Sequence, residues 1–177
     1  VYLFPFYIVI NVSLKPKTEM ASRLALPTKL YLDNYIQVLK SGDILTAIRN
    51  NALIIIGSLI LIIFVGSLAA YPLARLQTKW NEFIRKLFMG IMMITPLTIL
   101  VGVYSILAKI GAISTYWGII LILTTFGVPQ AVYMYTNFIS TIPTALDEAA
   151  AIDGAGKFQT FFRVIFPQMA PVTVTVI

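Results

Sequence analysis

Apolar residues in this chain fall in long runs separated by short polar connections, which is the pattern of helices that cross a bilayer. No residue between Arg49 and Arg75 is charged, and a helix needs about 20 apolar residues to cross. A span over about 51–72 follows. Leu87 to Ala108 is also uncharged and predicts a span over 87–108, kinked where Pro96 removes a backbone donor. After a short connection at Lys109–Thr115, a further span is expected over 116–139, with Tyr116 and Trp117 at an interface and Gly127 and Pro129 inside it. Shorter apolar runs at 1–14 and 164–177 read as partial spans. Residues 15–49 form a polar connection, in which Asp33–Leu39 is amphipathic enough for a short interfacial helix.

Composition supports the same class. Apolar residues make up 59% of the 177 and charged residues 11%, against about 25% charged in soluble domains. Small residues along the second run, Gly57-Ser58, Gly66-Ser67 and Ala69-Ala70, suit the close helix contacts that form in lipid. The fold class is therefore all-α, a polytopic helical membrane protein. The net charge of +6 does not indicate nucleic acid, because the basic residues lie between spans rather than along one stripe.

The chain has no cysteine and no histidine, which removes thiolate metal sites and the commonest general base. No P-loop, glycine-rich nucleotide fingerprint or zinc spacing occurs. The expected spans hold no Asp, Glu, Lys, Arg or His, unlike carriers driven by protons or sodium.

One polar stretch stands apart from the other connections. Thr144 with Asp147 three residues later reads as a helix N-cap and its acidic partner. Leu146, Ala149, Ala150 and Ile152 then make a narrow apolar stripe, and Gly154 and Gly156 end the helix. An interfacial helix would carry bulky apolar and basic residues, whereas this one carries small residues and the acids Asp147, Glu148 and Asp153. It is expected to dock in a groove of a soluble partner.

Glu148-Ala149-Ala150, three residues, Gly154, nine residues and Val164-Ile165-Phe166-Pro167 resemble the EAA signature of ABC importer permease subunits, E-A-A-x3-G-x9-I-x-L-P. Val164 and Phe166 replace the usual isoleucine and leucine, apolar for apolar. Ile142-Pro143, Ile152-Asp153-Gly154-Ala155 and Phe161-Phe162-Arg163 are similar to the maltose-type, carbohydrate branch. So are Ser13-Leu14-Lys15-Pro16 and Asp33-Asn34-Tyr35. The resemblance implies a MetI-like ABC importer transmembrane domain. The chain would be one permease domain, truncated at both ends and carrying about five of six spans, with a cytoplasmic coupling loop at 140–163.

On that resemblance Asp147, Glu148, Ala149, Ala150, Ile152, Asp153, Gly154 and Pro167 couple the permease to an ATPase. The implied partners are a second permease subunit, two ATP-binding subunits and an external solute-binding protein, in a bacterial or archaeal cell membrane. The chain itself would be no enzyme and hold no cofactor, ATP being bound by partner subunits. Gln130 and Tyr133, with Tyr135 and Asn137, are suited to a sugar path or, equally, to hydrogen bonds between helices. A permease for another solute, or an energy-independent channel, is the alternative. The basic residues crowded into 75–86 put that connection and the 140–163 loop on the cytoplasmic side, with 15–49 and 109–115 outside.

Overall fold

The computed structural model describes residues 2–16, 19, 24–27 and 29–176. Val1, Ile177 and, within the 15–49 connection, residues 17, 18, 20–23 and 28 lie outside the described residues. The contacts divide the chain into two units, Val1–Ala52 and Leu53–Ile177. In the first, α1 (Phe4–Ser13) and α2 (Asp33–Ser41) are joined by polar contacts around the end of α1. The Asn34 side-chain amide donates to the carbonyls of Ser13 and Lys15 at 3.0 and 2.9 Å. The interfacial helix expected at Asp33–Leu39 is thus α2, two residues longer.

The third helix, α3 (Asp43–Arg75), begins well before the apolar run. Gly42, left-handed at φ 73°, ends α2, and Asp43 in the next first turn complements the helix dipole. The helix therefore carries the charged residues up to Arg49 that sequence had put in a connection.

The expected continuous span at 87–108 is instead two helices, α4 (Lys79–Met92) and α5 (Pro96–Lys109), whose axes differ in direction by 100°. Pro96 does not kink a helix but opens one, because its ring cannot follow a helical residue without meeting the carbonyl four back. Thr95 before it is extended, at φ −67° and ψ 128°. The polar residues after Arg75 are correspondingly helical. Thr78 caps α4 by accepting from the Asn81 backbone N–H at 3.2 Å. The Asn81 amide in turn closes the end of α3, donating to Pro72 and Leu76 carbonyls at 3.1 and 2.8 Å.

The sixth helix, α6 (Tyr116–Thr141), is capped by Thr115, which accepts from the Gly118 N–H at 3.1 Å. By length and composition α3 and α6 can each cross a membrane, and α4 with α5 makes a third, broken candidate. Then come α7 (Ala145–Ile152) and α8 (Lys157–Thr160), a π-helical segment at Phe161–Ile165, α9 (Phe166–Gln168) and α10 (Ala170–Val176). The last helical stretch begins seven residues before the expected Val164. Its π turn has a local cause: Phe166 N–H reaches the Phe161 carbonyl, and the wider turn makes room for Pro167, which has no N–H to give.

These elements share one core, built from Ala70 of α3, Ala131, Tyr135 and Ile139 of α6, Phe161 and Ile165 of the π segment, and Met169 beyond it. Gly66 and Ala131 bring α3 and α6 together: a Cβ on Gly66 would lie 2.9 Å from that of Ala131. Gly66→Leu should therefore lower the thermal midpoint of the purified protein, by an amount equivalent to about 1–3 kcal/mol. Gly90→Leu, where nothing lies within 4 Å of the added Cβ, should leave it nearly unchanged. Equal midpoints would contradict the close approach.

Candidate functional site

The α7 helix is short, and its two faces do different things. Leu146 packs against the core and Ala150 is buried. On the other side Glu148 and Ala149 are exposed and Ile152 is 87% exposed, with Phe158 of α8 also open at 75%. The apolar stripe expected from spacing is thus divided: Leu146 and Ala150 point inward, Ala149 and Ile152 outward. Ile152 and Phe158 are thus left outside this chain's core.

The N-terminus of α7 departs from expectation. Thr144 has helical angles, φ −64° and ψ −22°, and its side chain caps nothing. Asp147, expected as its partner, is turned to α3 instead. One carboxylate oxygen, Oδ1, accepts from the Tyr71 hydroxyl at 2.6 Å, and Oδ2 lies 2.8 Å from Arg75 Nη2. The other guanidinium nitrogen, Nη1, donates to the Ile139 and Ile142 carbonyls at 3.1 and 2.9 Å. Those carbonyls belong to the end of α6, where Ile139 also accepts from the Ile142 N–H at 3.1 Å and Arg75 supplies the further donors. The Arg75 and Asp147 side chains are only 12% and 19% exposed, so the pair is held mostly out of water; Nη2 and Oδ2 meet as an ion pair and not as an aligned hydrogen bond, while the Tyr71 and carbonyl contacts are hydrogen bonds. A capping box would have left Arg75 without a counter-charge.

At the other end of α7, Gly154 at φ 79° is left-handed. Its N–H donates to the Ala151 carbonyl at 3.1 Å, and the next, on Ala155, reaches back to Ala150 at 2.9 Å. This is a Schellman closure, which favours glycine because a side chain at positive φ is strained. Gly156, expected to end the same helix, does not: at φ −71° and ψ 162° it is extended and starts α8, its N–H donating to the Gln159 side chain at 3.2 Å. Asp153 is exposed at the C-cap of α7. Pro167 lies away from α7, in the first turn of α9.

Between α3 and the α7–α8 pair lies a cleft of about 540 Å³, lined by Tyr71, Arg75, Asp147, Glu148, Phe158 and Phe161 among others. The Tyr71 ring packs on Phe161 with centroids 5.3 Å apart. Sequence reasoning missed Tyr71 and Arg75. A basic residue ending an apolar span is ordinarily an interface anchor, and nothing local connects it to an acid on a distant loop.

Gln130 and Tyr133 are not drawn into this site. Gln130 is exposed, and Tyr133, 39% exposed, sits beside Arg85 and Met89 of α4. Their neighbour Tyr135 is fully buried and donates to the Thr173 hydroxyl at 3.1 Å, a bond between helices. Among the described residues no group of three or more His, Cys, Asp or Glu is placed to hold a metal.

Two helices long and apolar enough to cross a bilayer, with a third, broken candidate, define a multi-pass helical membrane protein. The chain belongs to the family described as the binding-protein-dependent transport system inner membrane component, whose model matches residues 62–177. It is 39% identical over 176 residues to the melibiose/raffinose/stachyose import permease protein MelC of Bacillus subtilis, covering 99% of this chain and 64% of that one. It is 33% identical to the probable starch degradation products transport system permease protein AmyC of Thermoanaerobacterium thermosulfurigenes, covering 98% of this chain and 64% of that one. With the trehalose transport system permease protein SugB of Mycobacterium tuberculosis the identity is 30%, over 98% of this chain and 63% of the relative. The chain thus spans about 64% of the length of the curated relatives it matches.

The Gly154 turn gives a test within the chain. No atom lies within 4 Å of a Cβ placed there, so the penalty for a side chain is conformational, about 1–2 kcal/mol for most residues and less for asparagine. Gly154→Val should speed amide exchange at Ala155 well beyond what Gly154→Asn does. Equal exchange in the two variants would mean that the positive φ does not hold the turn.

Proposed function

We propose that the chain is the permease part of an ABC importer for a sugar or oligosaccharide, and that α7 with the start of α8 is the element through which it couples to an ATPase subunit. The observation that carries this reading is the division of α7: Asp147, Leu146 and Ala150 attach it to the spans, while Glu148, Ala149, Ile152 and Phe158 stay open. Such a helix has one face fixed and one face available to a groove. The sugar reading is supported by the sugars and starch products for which the MelC, AmyC and SugB relatives are named. A second permease subunit, two ATP-binding subunits and an external solute-binding protein complete the proposed assembly.

Glu148 lies in the first turn of α7, where the helix dipole favours its charge, and it is exposed for a basic group on the ATPase. Glu148→Ala should lower uptake by roughly twofold to fivefold, the effect of losing an exposed ion pair. Gly154→Leu alters the turn that shapes the docking surface and should abolish uptake, with ATP hydrolysis lost or no longer stimulated by the loaded binding protein. Uptake and hydrolysis are measured together in vesicles reconstituted with the full-length permease and its partners. Fully coupled transport by Gly154→Leu would remove α7 from the coupling path.

The same reading fixes an orientation, with the 75–86 and 140–163 segments both on the cytoplasmic side. Lys79 and Lys157 are exposed. Lys79→Cys and Lys157→Cys should therefore both resist an impermeant thiol reagent added to intact cells and both react in inverted vesicles. Labelling of either from outside contradicts the orientation.

A further inference from the structure

The docking reading leaves open how movement of an eight-residue helix reaches the spans. Of α7's own apolar residues, the core receives Ala150 and a partly buried Leu146. That is little side-chain area to carry a pull in any direction. The polar contacts are different in kind: three directional hydrogen bonds and one ion pair, mostly buried, converge there.

Arg75 sits at the last turn of α3 and Tyr71 one turn before it, on the same face. Both reach the same carboxylate on α7, one oxygen each. The guanidinium is planar and its two terminal nitrogens point in fixed directions. With Nη2 on Asp147 and Nη1 on the Ile139 and Ile142 carbonyls, one rigid group fixes three segments against one another. Tyr71 adds a fourth, its ring packed at a 50° tilt against Phe161 of the π segment.

We propose that Arg75 and Tyr71 are positioning residues for coupling: with Asp147 they clasp α7 to the ends of α3 and α6, so that a displacement of α7 moves those ends with it. The proposal rests on α7 being the docking element. It assigns Asp147 and Glu148, adjacent in sequence, to opposite tasks, Asp147 holding the spans and Glu148 facing the partner. A carboxylate aimed inward and an arginine that also closes α6 are what a transmitting joint needs. A lysine in place of Arg75 reaches the carboxylate or the carbonyls, but as a single point charge it does not orient all three segments.

The test uses the full-length permease in its assembled complex, reconstituted with its loaded binding protein, and reads solute taken up per ATP hydrolysed. A merely structural role changes assembly or the thermal midpoint and leaves that ratio alone. In Arg75→Lys and Asp147→Asn the complex should still assemble and hydrolyse ATP, with the ratio falling about tenfold or more in Asp147→Asn, which removes one side of a mostly buried charge pair, and severalfold in Arg75→Lys, which keeps the charge but loses the fork that holds three segments. Tyr71→Phe removes one hydrogen bond and should lower the ratio about threefold. The exchange Arg75→Asp with Asp147→Arg should not restore it, because an arginine on α7 does not answer the α6 carbonyls from the α3 side.

An unchanged ratio in assembled Arg75→Lys, Asp147→Asn or Tyr71→Phe overturns the clasp, as does failure of all three to assemble, which would make the contact structural only. A thiol cross-link from Ile152→Cys to the ATPase subunit, in the otherwise unaltered permease, separates the two claims. Its presence with unchanged ratios removes the clasp and leaves the docking reading standing, while its absence removes both.

Discussion

The arrangement at the end of α3 depends on a positive charge that is mostly out of water. At 12% side-chain exposure the Arg75 guanidinium has to be answered by the protein rather than by solvent. The answers come from Asp147 and from the last carbonyls of α6. Removing one partner of such a buried pair typically costs about 3–5 kcal/mol, because the other charge is left uncompensated. The exposed Glu82–Lys86 pair one helix further on, at 64% and 71% exposure, carries no comparable constraint, since water can replace either partner. Among the described ion pairs it is therefore Arg75–Asp147 that constrains the fold.

That constraint explains why α7 has the composition it has. Leu146 and Ala150 face inward and a small side chain lets the helix approach the π segment, while Asp147 supplies the directional contact. With the inner face so committed, Glu148, Ala149 and Ile152 are left to whatever covers the outer one. The left-handed turn at Gly154 and the extended Gly156 that follows it return the chain into α8 and the core through Phe161. Motion applied at the outer face has a short, polar route to α3 and α6.

The class of this protein was legible because it depends on local composition. Uncharged runs long enough to cross a bilayer identify α3 and α6 directly, and Gly154 was legible because a left-handed turn demands glycine. What misled was any inference needing a partner distant in sequence. Thr144 and Asp147 have the spacing of a capping box, but a buried arginine competes for the same carboxylate and wins. The run at 87–108 gives no local sign that Pro96 starts a helix rather than bending one, since both outcomes satisfy the same missing donor. Tyr71 and Arg75 look like the aromatic and basic residues that end many spans, and only the fold brings them to Asp147. Gln130 and Tyr133 share a helix face as spacing required, yet spacing does not say what that face meets.

The central claim is that α7 and the C-terminal end of α6 are one rigid body. Spin labels at Ile152 and Thr141, both exposed, report on it through their separation in the assembled transporter, measured without nucleotide and with ATP trapped. One narrow distance distribution is expected, the same in both states and broadened when Asp147 is changed to asparagine. A distance that shifts between the two states in the unaltered clasp would show α7 moving independently of α6 and would contradict the account.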